Sequence, residues 1–193
     1  MALYNNRLQL PALRAAPDAA RLCPMVRRIH IIGSTGSGKS YIANVLSRRL
    51  NLPVFDLDDL FWNRSASTYG VRTAGDVRDR KLAQIAASDA WIIEGVYHQW
   101  VGPSFDRAEL ILILVPSVWV RDVRVVRRFI KRKLGLVPSK RESLRDLWQL
   151  LRWNHGYDRD NYPRSMAFIR EQNRAAVKCR SLQEVLRAVG DGT

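Results

Sequence analysis

The chain of 193 residues is 47% hydrophobic and 26% charged, a composition that fits one globular domain and excludes a largely disordered protein. Its longest apolar run, residues 110–115, is much shorter than a membrane-spanning helix requires, so no membrane span is expected. Cys23 and Cys179 supply neither a disulfide framework nor a metal-site spacing, which indicates a reducing compartment, by default the cytoplasm.

The net charge of +14 is distributed unevenly along the chain. Residues 121–133 contain seven basic side chains against the single acid Asp122 and contribute +6, whereas residues 1–24 contribute +2. A basic cluster of this density favours polyanionic partners: nucleotide phosphates, nucleic acid or an anionic membrane surface.

Residues 1–24 differ from the rest of the sequence because they are rich in Ala, Pro and Arg and have little periodicity. We interpret them as an N-terminal extension, expected to be flexible, in front of one domain at 25–193. An Arg-bearing segment almost free of acids is also typical of an organelle presequence. Pro11, Pro17 and Pro24 argue against a targeting helix, so the plain extension is the preferred interpretation.

Strand and helix patterns alternate from residue 26 onward. Short apolar segments predict strands at 26–32, 53–55, 91–93, 110–115 and 176–179, and helical spacing predicts helices at 39–50 and near 164–173. Three capping boxes are predicted to open further helices: Thr73 with Asp76, for a helix reaching residue 87; Ser143 with Asp146; and Ser181 with Glu184, for a helix ending at Gly190.

A long basic helix is predicted after Pro116, with a break at 135–138. Its apolar stripe consists of Trp119, Val123, Val126 and Ile130, and the opposite face carries Arg121, Arg124, Arg128 and Lys131. The six tryptophans of the chain are expected mainly in the core and in pocket walls.

The alternation predicts an α/β fold: a three-layer P-loop NTPase sandwich, in which helices flank a five-stranded parallel sheet and the Arg-rich segment forms a lid. Ligands of such sheets bind beyond the carboxyl ends of the strands. The Gly-rich turn at 33–40, the acidic group at 56–59 and Glu94 all fall at these ends. The sequence therefore predicts a single crevice that brings them together.

Residues 33–40, GSTGSGKS, fit the phosphate-binding pattern G-x-x-x-x-G-K-[ST], with a strand before it and a helix after it. Backbone N–H groups of such a loop face a polyphosphate, the lysine reaches the terminal phosphates, and the hydroxyl after it holds Mg²⁺. The predicted nucleotide-binding residues are Gly33, Ser34, Thr35, Gly36, Ser37, Gly38, Lys39 and Ser40.

Three acidic residues at strand ends are candidates for the chemistry. Asp56 and Asp58 leave the second strand at i, i+2 spacing, so one carboxylate is predicted to act at Mg²⁺ and the other to accept a proton from an attacking hydroxyl. We assign the metal to Ser40, Asp56 and Glu94 and the proton to Asp58. The alternatives are that Asp58 or Asp59 only caps a short turn, and that Glu94 pairs with an arginine.

The arginines of the basic helix suit a lid over phosphates, because guanidinium groups stabilise the charge of a transferring phosphoryl group. One or two of Arg124, Arg127 and Arg128 are predicted to act in this way, and we assign Arg124 and Arg128, with Lys39 and Asp58, as catalytic residues. The alternative is that the charged stripe is only a solvated face.

The segments 25–40, 57–62 (LDDLFW) and 91–97 (WIIEGVY) resemble the adenylate-kinase-related P-loop proteins labelled DNA topology modulation proteins. The chain departs from their pattern at Glu94, Val96 and Val115, where these proteins usually carry Asp, Asn and an acidic residue. The resemblance implies a nucleotide-kinase-like fold, ATP with Mg²⁺ and an undetermined phosphate acceptor. It also implies that the adenine base lies near residues 181–184.

These observations predict an ATP-dependent phosphotransferase whose partners are ATP and an unidentified small molecule, in a monomer or a dimer. The alternative is a nucleic-acid-associated regulator of DNA topology, in which the basic helix binds backbone phosphates and the P-loop acts as a switch. A third possibility is an ATPase without an acceptor.

Overall fold

A computed structural model of the chain describes residues 26–63, 70–136 and 143–190. The proposed N-terminal extension and part of the expected break at 135–138 lie outside the described residues. The strands are β1 (Arg28–Gly33), β2 (Val54–Asp56), β3 (Trp91–Gly95), β4 (Leu110–Leu114) and β5 (Val177–Cys179). The helices are α1 (Lys39–Leu50), α2 (Leu57–Phe61), α3 (Gly75–Ala87), α4 (Gly102–Arg107), α5 (Val118–Lys133), α6 (Leu144–Tyr157), α7 (Asn161–Glu171) and α8 (Leu182–Val189).

The five strands form one parallel sheet in the order β2-β3-β1-β4-β5, which confirms the predicted α/β fold. The central strand β1 pairs with β3 on one side and with β4 on the other. Parallel pairing brings the carboxyl ends of all five strands to the same edge of the sheet. The loop that follows β1 therefore lies at the middle of that edge.

Both faces of the sheet are covered by helices, as the continuous apolar strands predict. One buried cluster joins Ile32 and Ile93 to side chains of α3, α4 and α7, such as Leu82 and Phe105. A second cluster joins Ile31 to side chains of α1 and α8. Because neighbouring residues of a strand point to opposite faces, Ile31 and Ile32 contribute to different layers. The fold is the predicted three-layer sandwich.

The local signals predicted the starts of α1, α5, α6 and α8, placed the start of α7 three residues too late, and did not indicate the short helices α2 and α4. The bounds of α1 agree with the prediction of 39–50, and the side chains of Ser143 and Ser181 cap α6 and α8. The proposed capping box of Thr73 is wrong, because the cap residue of α3 is Ala74 and no side chain caps it. The amide of Thr73 instead donates to the carbonyl of Phe61, next to an antiparallel bridge between Trp62 and Arg72.

The orientation of α5 differs from that of an ordinary amphipathic helix, which turns its apolar stripe to the core. Its buried residues are Arg121, Val125 and Phe129. Trp119 is 72% exposed and Trp148 of α6 is 67% exposed, so neither lies in the core, but both line a groove between the two helices, which agrees with the expected place in a pocket wall. No helix within the described residues is long and apolar enough to cross a membrane.

Candidate active site

The turn between β1 and α1 has the backbone of a phosphate-binding loop. Gly36 and Gly38 adopt φ values of +75° and +96°, which side-chain-bearing residues rarely adopt. At Gly36 a Cβ atom would also lie 2.5 Å from the carbonyl oxygen of Arg121 in α5. Glycine is therefore required at this position both by the backbone conformation and by the close approach of α5.

Lys39, the first residue of α1, turns its side chain back over this loop. Its Nζ donates to the carbonyl oxygen of Ser34 over 3.1 Å. Burial lowers the pKa of Lys39, and the carboxylates of Glu94, Asp58 and Asp56 oppose this shift. The ammonium group thus lies between the loop and the acidic strand ends, where the sequence places the terminal phosphates of a nucleotide.

Two of the predicted acidic residues lie side by side at the ends of neighbouring strands. Asp56 of β2 is the register partner of Glu94 of β3. Glu94 is only 3% exposed, and its Oε1 accepts a hydrogen bond of 2.5 Å from Oγ of Ser40. Burial raises the pKa of Glu94 and of Asp56. Ser40, Asp56 and Glu94, for which the sequence predicts a metal site, therefore lie together in one acidic, partly desolvated region.

A turn-capping role was considered for Asp58 or Asp59, but the structure gives it to Asp56. Oδ1 of Asp56 accepts a hydrogen bond of 2.8 Å from the amide of Asp58 and caps α2. This bond orients α2 so that the side chain of Asp58 is exposed at the crevice.

Tyr97, just after β3, contacts the proposed proton acceptor. Its hydroxyl donates to Oδ1 of Asp58 over 2.8 Å, and its ring stacks on Phe61, with centroids 4.8 Å apart. Burial raises the pKa of Tyr97, so its hydroxyl stays protonated and remains a donor at neutral pH. In the sequence, Tyr97 is marked only as part of the segment 91–97 that resembles the adenylate-kinase-related proteins. The contact depends on the pairing of β2 with β3, which the sequence does not reveal.

A cavity of about 400 Å³ collects the predicted catalytic and metal-binding residues. It is lined by Thr35, Gly36, Gly38, Lys39, Ser40, Tyr41, Asp56, Asp58, Glu94, Gly95, Val96, Arg124, Arg128 and Arg132. The other predicted nucleotide-binding residues, Gly33, Ser34 and Ser37, are buried and do not line this cavity. Arg132 was not among the predicted residues, although it continues the i, i+4 row of Arg124 and Arg128 on α5.

The three arginines considered for catalysis separate into two groups. Nη1 of Arg124 donates to the carbonyl oxygens of Gly36 and Ser37, over 3.3 and 3.0 Å. Arg128 lines the same cavity, whereas Arg127 lines a different groove, between α5 and α6. Of the three, Arg124 and Arg128 therefore lie where a guanidinium group could act on phosphate oxygens.

Arg121 connects the loop to the rest of the molecule and was not predicted to have this role. Its side chain is fully buried. The guanidinium group makes a bidentate pair with Asp158, over 2.9 and 2.6 Å, and also donates to Oγ of Ser34 over 3.1 Å. Such pairs fix geometry because both N–H groups are directed. The loop, α5 and the end of α6 are thereby joined through one side chain.

The donor set fits Mg²⁺ better than a metal that requires a full protein cage. Within residues 26–63, 70–136 and 143–190, no group of three or more His, Cys, Asp or Glu side chains has a metal-binding arrangement. Mg²⁺ commonly takes only one or two carboxylates, with waters and substrate phosphates as its other ligands. Ser40, Asp56 and Glu94 meet that lower requirement.

A second cavity at the same edge of the sheet ends at Arg180, directly before residues 181–184, where the resemblance places the adenine base; those four residues do not line it. It measures about 440 Å³ and is lined by Val115, Pro116, Ser117, Asp158, Tyr162, Lys178 and Arg180. Asp158 links it to the phosphate-binding loop through Arg121. Arg121 therefore contacts both the loop and a residue that lines this cavity.

No family model matches the chain, and no curated protein matches it. Among solved structures, it is similar to the shikimate kinase from Acinetobacter baumannii in complex with shikimate, at 17% identity and a TM-score of 0.51, over 84% of this chain and 92% of that one. A gluconokinase from Sinorhizobium meliloti 1021 has 19% identity and a TM-score of 0.48, over 86% and 90% of the two chains. Such low identity shows the fold alone. The chain has the fold of the P-loop kinases, and its resemblance to the DNA topology modulation type stays a prediction.

Proposed function

We propose that the chain is an ATP-dependent phosphotransferase that moves the γ-phosphoryl group of ATP to a small-molecule acceptor. The observation that supports this best is the single cavity in which Lys39, three carboxylates and three arginines surround a phosphate-binding loop. Phosphoryl transfer needs mainly alignment and positive charge around the transferring oxygens, and this cavity offers both. The fold shared with P-loop kinases agrees with this proposal.

In this proposal the loop amides and Lys39 bind the β- and γ-phosphates. Lys39 exchanges its hydrogen bond to the Ser34 carbonyl for phosphate oxygens, which carry more negative charge. The adenine base occupies the cavity beside Asp158 and Arg180. Arg124 and Arg128 approach from α5 and offset the charge that spreads over the γ-phosphoryl oxygens.

Ser40, Asp56 and Glu94 hold Mg²⁺ in this proposal. The carboxylates of buried Glu94 and half-buried Asp56 lie side by side, each with a raised pKa, and such a pair is one that a divalent cation stabilises. Bound Mg²⁺ supplies positive charge that neutralises phosphate oxygens. Glu94 has one methylene more than the Asp that is usual in the resembling proteins, and with this longer side chain its Oε1 accepts a hydrogen bond from Ser40.

Asp58 accepts the proton of the acceptor hydroxyl while that oxygen forms a bond to the γ-phosphorus and the bond from this phosphorus to the β,γ-bridging oxygen breaks. ADP leaves with the bridging oxygen, and the proton stays on the carboxylate until solvent removes it. Tyr97 keeps one oxygen of Asp58 in place through its hydrogen bond. The other carboxylate oxygen is then available to an acceptor at the exposed side of the cavity.

The test is a screen with ATP, Mg²⁺ and four classes of acceptor: nucleotides, nucleosides, sugars and shikimate-like acids. Transfer is measured as a new phosphorus resonance or a labelled product, together with ADP. We expect one class to be phosphorylated, and the Asp58→Asn variant to lose this product. Tight binding of ATP without transfer to any acceptor contradicts the proposal, and hydrolysis that no acceptor diverts indicates an ATPase instead.

The nucleic-acid alternative requires cations of α5 that face outward, and Arg127 and Lys131 meet that requirement. Arg121 is buried, however, and Arg124 and Arg128 line the cavity, so these three are turned towards the loop, as the kinase requires. Titration of random duplex DNA against salt, with and without ATP, separates the two functions, because a regulator would bind DNA in an ATP-dependent manner.

A further inference from the structure

Exposed large hydrophobic side chains are concentrated on α5, on α6 and next to the end of α5. In the part of the chain that the structure describes, eleven large hydrophobic residues are exposed, and eight of them lie between residues 119 and 148. Six of these eight are at least 67% accessible: Trp119, Val123, Leu134, Leu136, Leu144 and Trp148. Such clustering is unusual for scattered surface residues and indicates an interaction surface.

Part of this apolar surface lines a groove of about 820 Å³ between the two helices. Trp119, Val123 and Ile130 form the α5 wall, and Trp148 and Leu151 form the α6 wall. We call this surface, with its rim, the α5–α6 face. It lies on the opposite side of α5 from the arginines that line the active-site cavity, so an occupant of the face leaves that cavity accessible.

The geometry of the groove is fixed by polar contacts of one acidic residue. Asp122 of α5 accepts a hydrogen bond of 3.2 Å from Asn154 and lies 2.8 Å from Nε2 of His155, both on α6. These contacts hold the two helices together beside the apolar walls. The groove is therefore an organised part of the fold.

The rim of the α5–α6 face is basic. Arg127 and Lys131 of α5 and Arg152 of α6 are exposed at its edge. The carboxylate of Asp122, the acid in the lining, is engaged by Asn154 and His155. An occupant thus meets exposed tryptophans and aliphatic side chains surrounded by positive charge.

The positive charge of this rim favours one of the possible binding partners of the α5–α6 face. A second copy of the chain would bring two basic rims together, and residues 1–24 are themselves basic, at +2. An anionic lipid surface complements both features, because tryptophan and aliphatic side chains insert at the headgroup boundary while lysine and arginine contact lipid phosphates. It also demands no directed hydrogen bonds, and the groove walls are almost entirely apolar.

We propose that the α5–α6 face docks the protein on an anionic lipid bilayer. Trp119, Val123, Ile130 and Trp148 enter the headgroup region, and Arg127, Lys131 and Arg152 bind the lipid phosphates. The active-site cavity remains open to the aqueous side during docking. This inference does not rest on the proposed phosphotransferase activity, so each can fail alone.

The test uses the full-length chain and two kinds of vesicle: pure phosphatidylcholine, and phosphatidylcholine with phosphatidylglycerol. We expect cosedimentation with the anionic vesicles only, weaker at high salt, and a blue shift of tryptophan emission on binding. Lack of binding to anionic vesicles at low salt overturns the proposal. So does equal binding to both kinds of vesicle.

Matched lysine variants separate the α5–α6 face from general attraction to the charge of the protein. Lys131→Gln is expected to weaken vesicle binding about fivefold, because a basic residue near an anionic surface contributes about 1 kcal/mol. Lys81→Gln, on an exposed turn of α3, removes the same charge elsewhere and is expected to have no effect. Equal losses from the two variants contradict docking through this face.

The apolar contribution is tested with Trp119→Ser and Trp148→Ser. Both side chains are mostly exposed, so thermal unfolding should be unchanged, and the emission shift and vesicle binding should both decrease. A dimer that Trp119→Ser dissociates, in a protein that binds no vesicles, overturns the proposal in favour of a second copy. Binding of acidic proteins without binding of vesicles overturns it in favour of a protein partner.

Discussion

Two opposing effects act on the ammonium group of Lys39: burial disfavours its positive charge, and three nearby carboxylates favour it. A triphosphate in the loop would replace these partners with stronger ones. We expect Lys39→Ala to weaken ATP binding about 10- to 150-fold, since a hydrogen bond to a charged group contributes about 1.5–3 kcal/mol. Isothermal titration with Mg²⁺ present measures this loss. Lys81→Ala, on exposed α3, is the matched control, and unchanged affinity of the Lys39 variant refutes the assigned role.

Asp58 differs from its acidic neighbours because its side chain is exposed at the crevice while that of Glu94 is buried. A group that takes a proton from an acceptor contributes to the rate and not to the binding of ATP. Once an acceptor is known, we expect Asp58→Asn to lower the transfer rate about 10²- to 10⁴-fold, with unchanged ATP affinity. Asp59→Asn provides the control one residue away. Loss of folding in the Asp58 variant would support a structural role instead.

At the scale of residues, the sequence predicted what a continuous motif specifies. The loop 33–40 and the bounds of α1 follow from glycine, lysine and serine at fixed spacing, and the structure confirms those bounds. It did not predict the contacts of Tyr97 with Asp58 or of Arg121 with Ser34. Those pairs are 39 and 87 residues apart, and only the packing of the sheet and of α5 brings them together.

At the scale of elements, α5 shows why a periodic pattern predicts a helix more reliably than its orientation. The apolar stripe through Trp119 and Val123 predicts the helix correctly, yet that stripe is exposed. The inward face is held by Val125 and Phe129 and by the buried guanidinium group of Arg121. Because a paired arginine can be buried, the sign of a charge pattern alone cannot reveal which face is inside.

Breaking the pair of Arg121 with Asp158 should therefore affect folding. We expect Arg121→Ala to lower the free energy of unfolding by roughly 3 kcal/mol, because it leaves a cavity and removes the partners of Asp158 and Ser34. We expect a loss at the low end of the free-energy range for broken buried ion pairs, because the side chain of Asp158 is 53% exposed. Urea unfolding measures the change.

Arg127→Ala is the matched control for this prediction, since Arg127 lies on the same helix and is exposed. We expect it to change the free energy of unfolding by less than about 0.5 kcal/mol. Similar losses in the two variants would mean that helix propensity or charge, and not the buried pair, determines the effect.

At the scale of the whole molecule, the alternation of strands and helices was enough to predict a parallel sheet and a common crevice. The order β2-β3-β1-β4-β5 was not predictable from the pattern, because the apolar sequence of a short strand does not indicate which strands pair with it. That order makes Asp56 and Glu94 adjacent. The sequence thus predicted that acidic residues gather at the strand ends, but the adjacency of Asp56 and Glu94 follows only from the strand order of the folded chain.

The central strand also contains a fully buried histidine that the active site does not use. Nδ1 of His30 lies 3.0 Å from Oγ of Ser104, and this hydroxyl donates its own hydrogen to the carbonyl oxygen of Val101 over 2.7 Å. Nδ1 must therefore carry the proton of the neutral ring. Nε2 has no hydrogen-bond partner among the residues that the structure describes, and the ring contacts Phe105 edge-on. Burial lowers the pKa of His30 from 6.5 to about 3.

This histidine should make the stability of the whole molecule sensitive to acid. Between pH 6.5 and pH 3 the unfolded chain binds a proton at His30 that the folded chain excludes, so falling pH favours unfolding. We expect this group alone to remove about 3 kcal/mol of the free energy of unfolding between pH 7 and pH 4. Urea unfolding across this range should show a flatter dependence for His30→Leu than for the wild type. A slope for His30→Leu as steep as that of the wild type would show that other groups control the acid sensitivity.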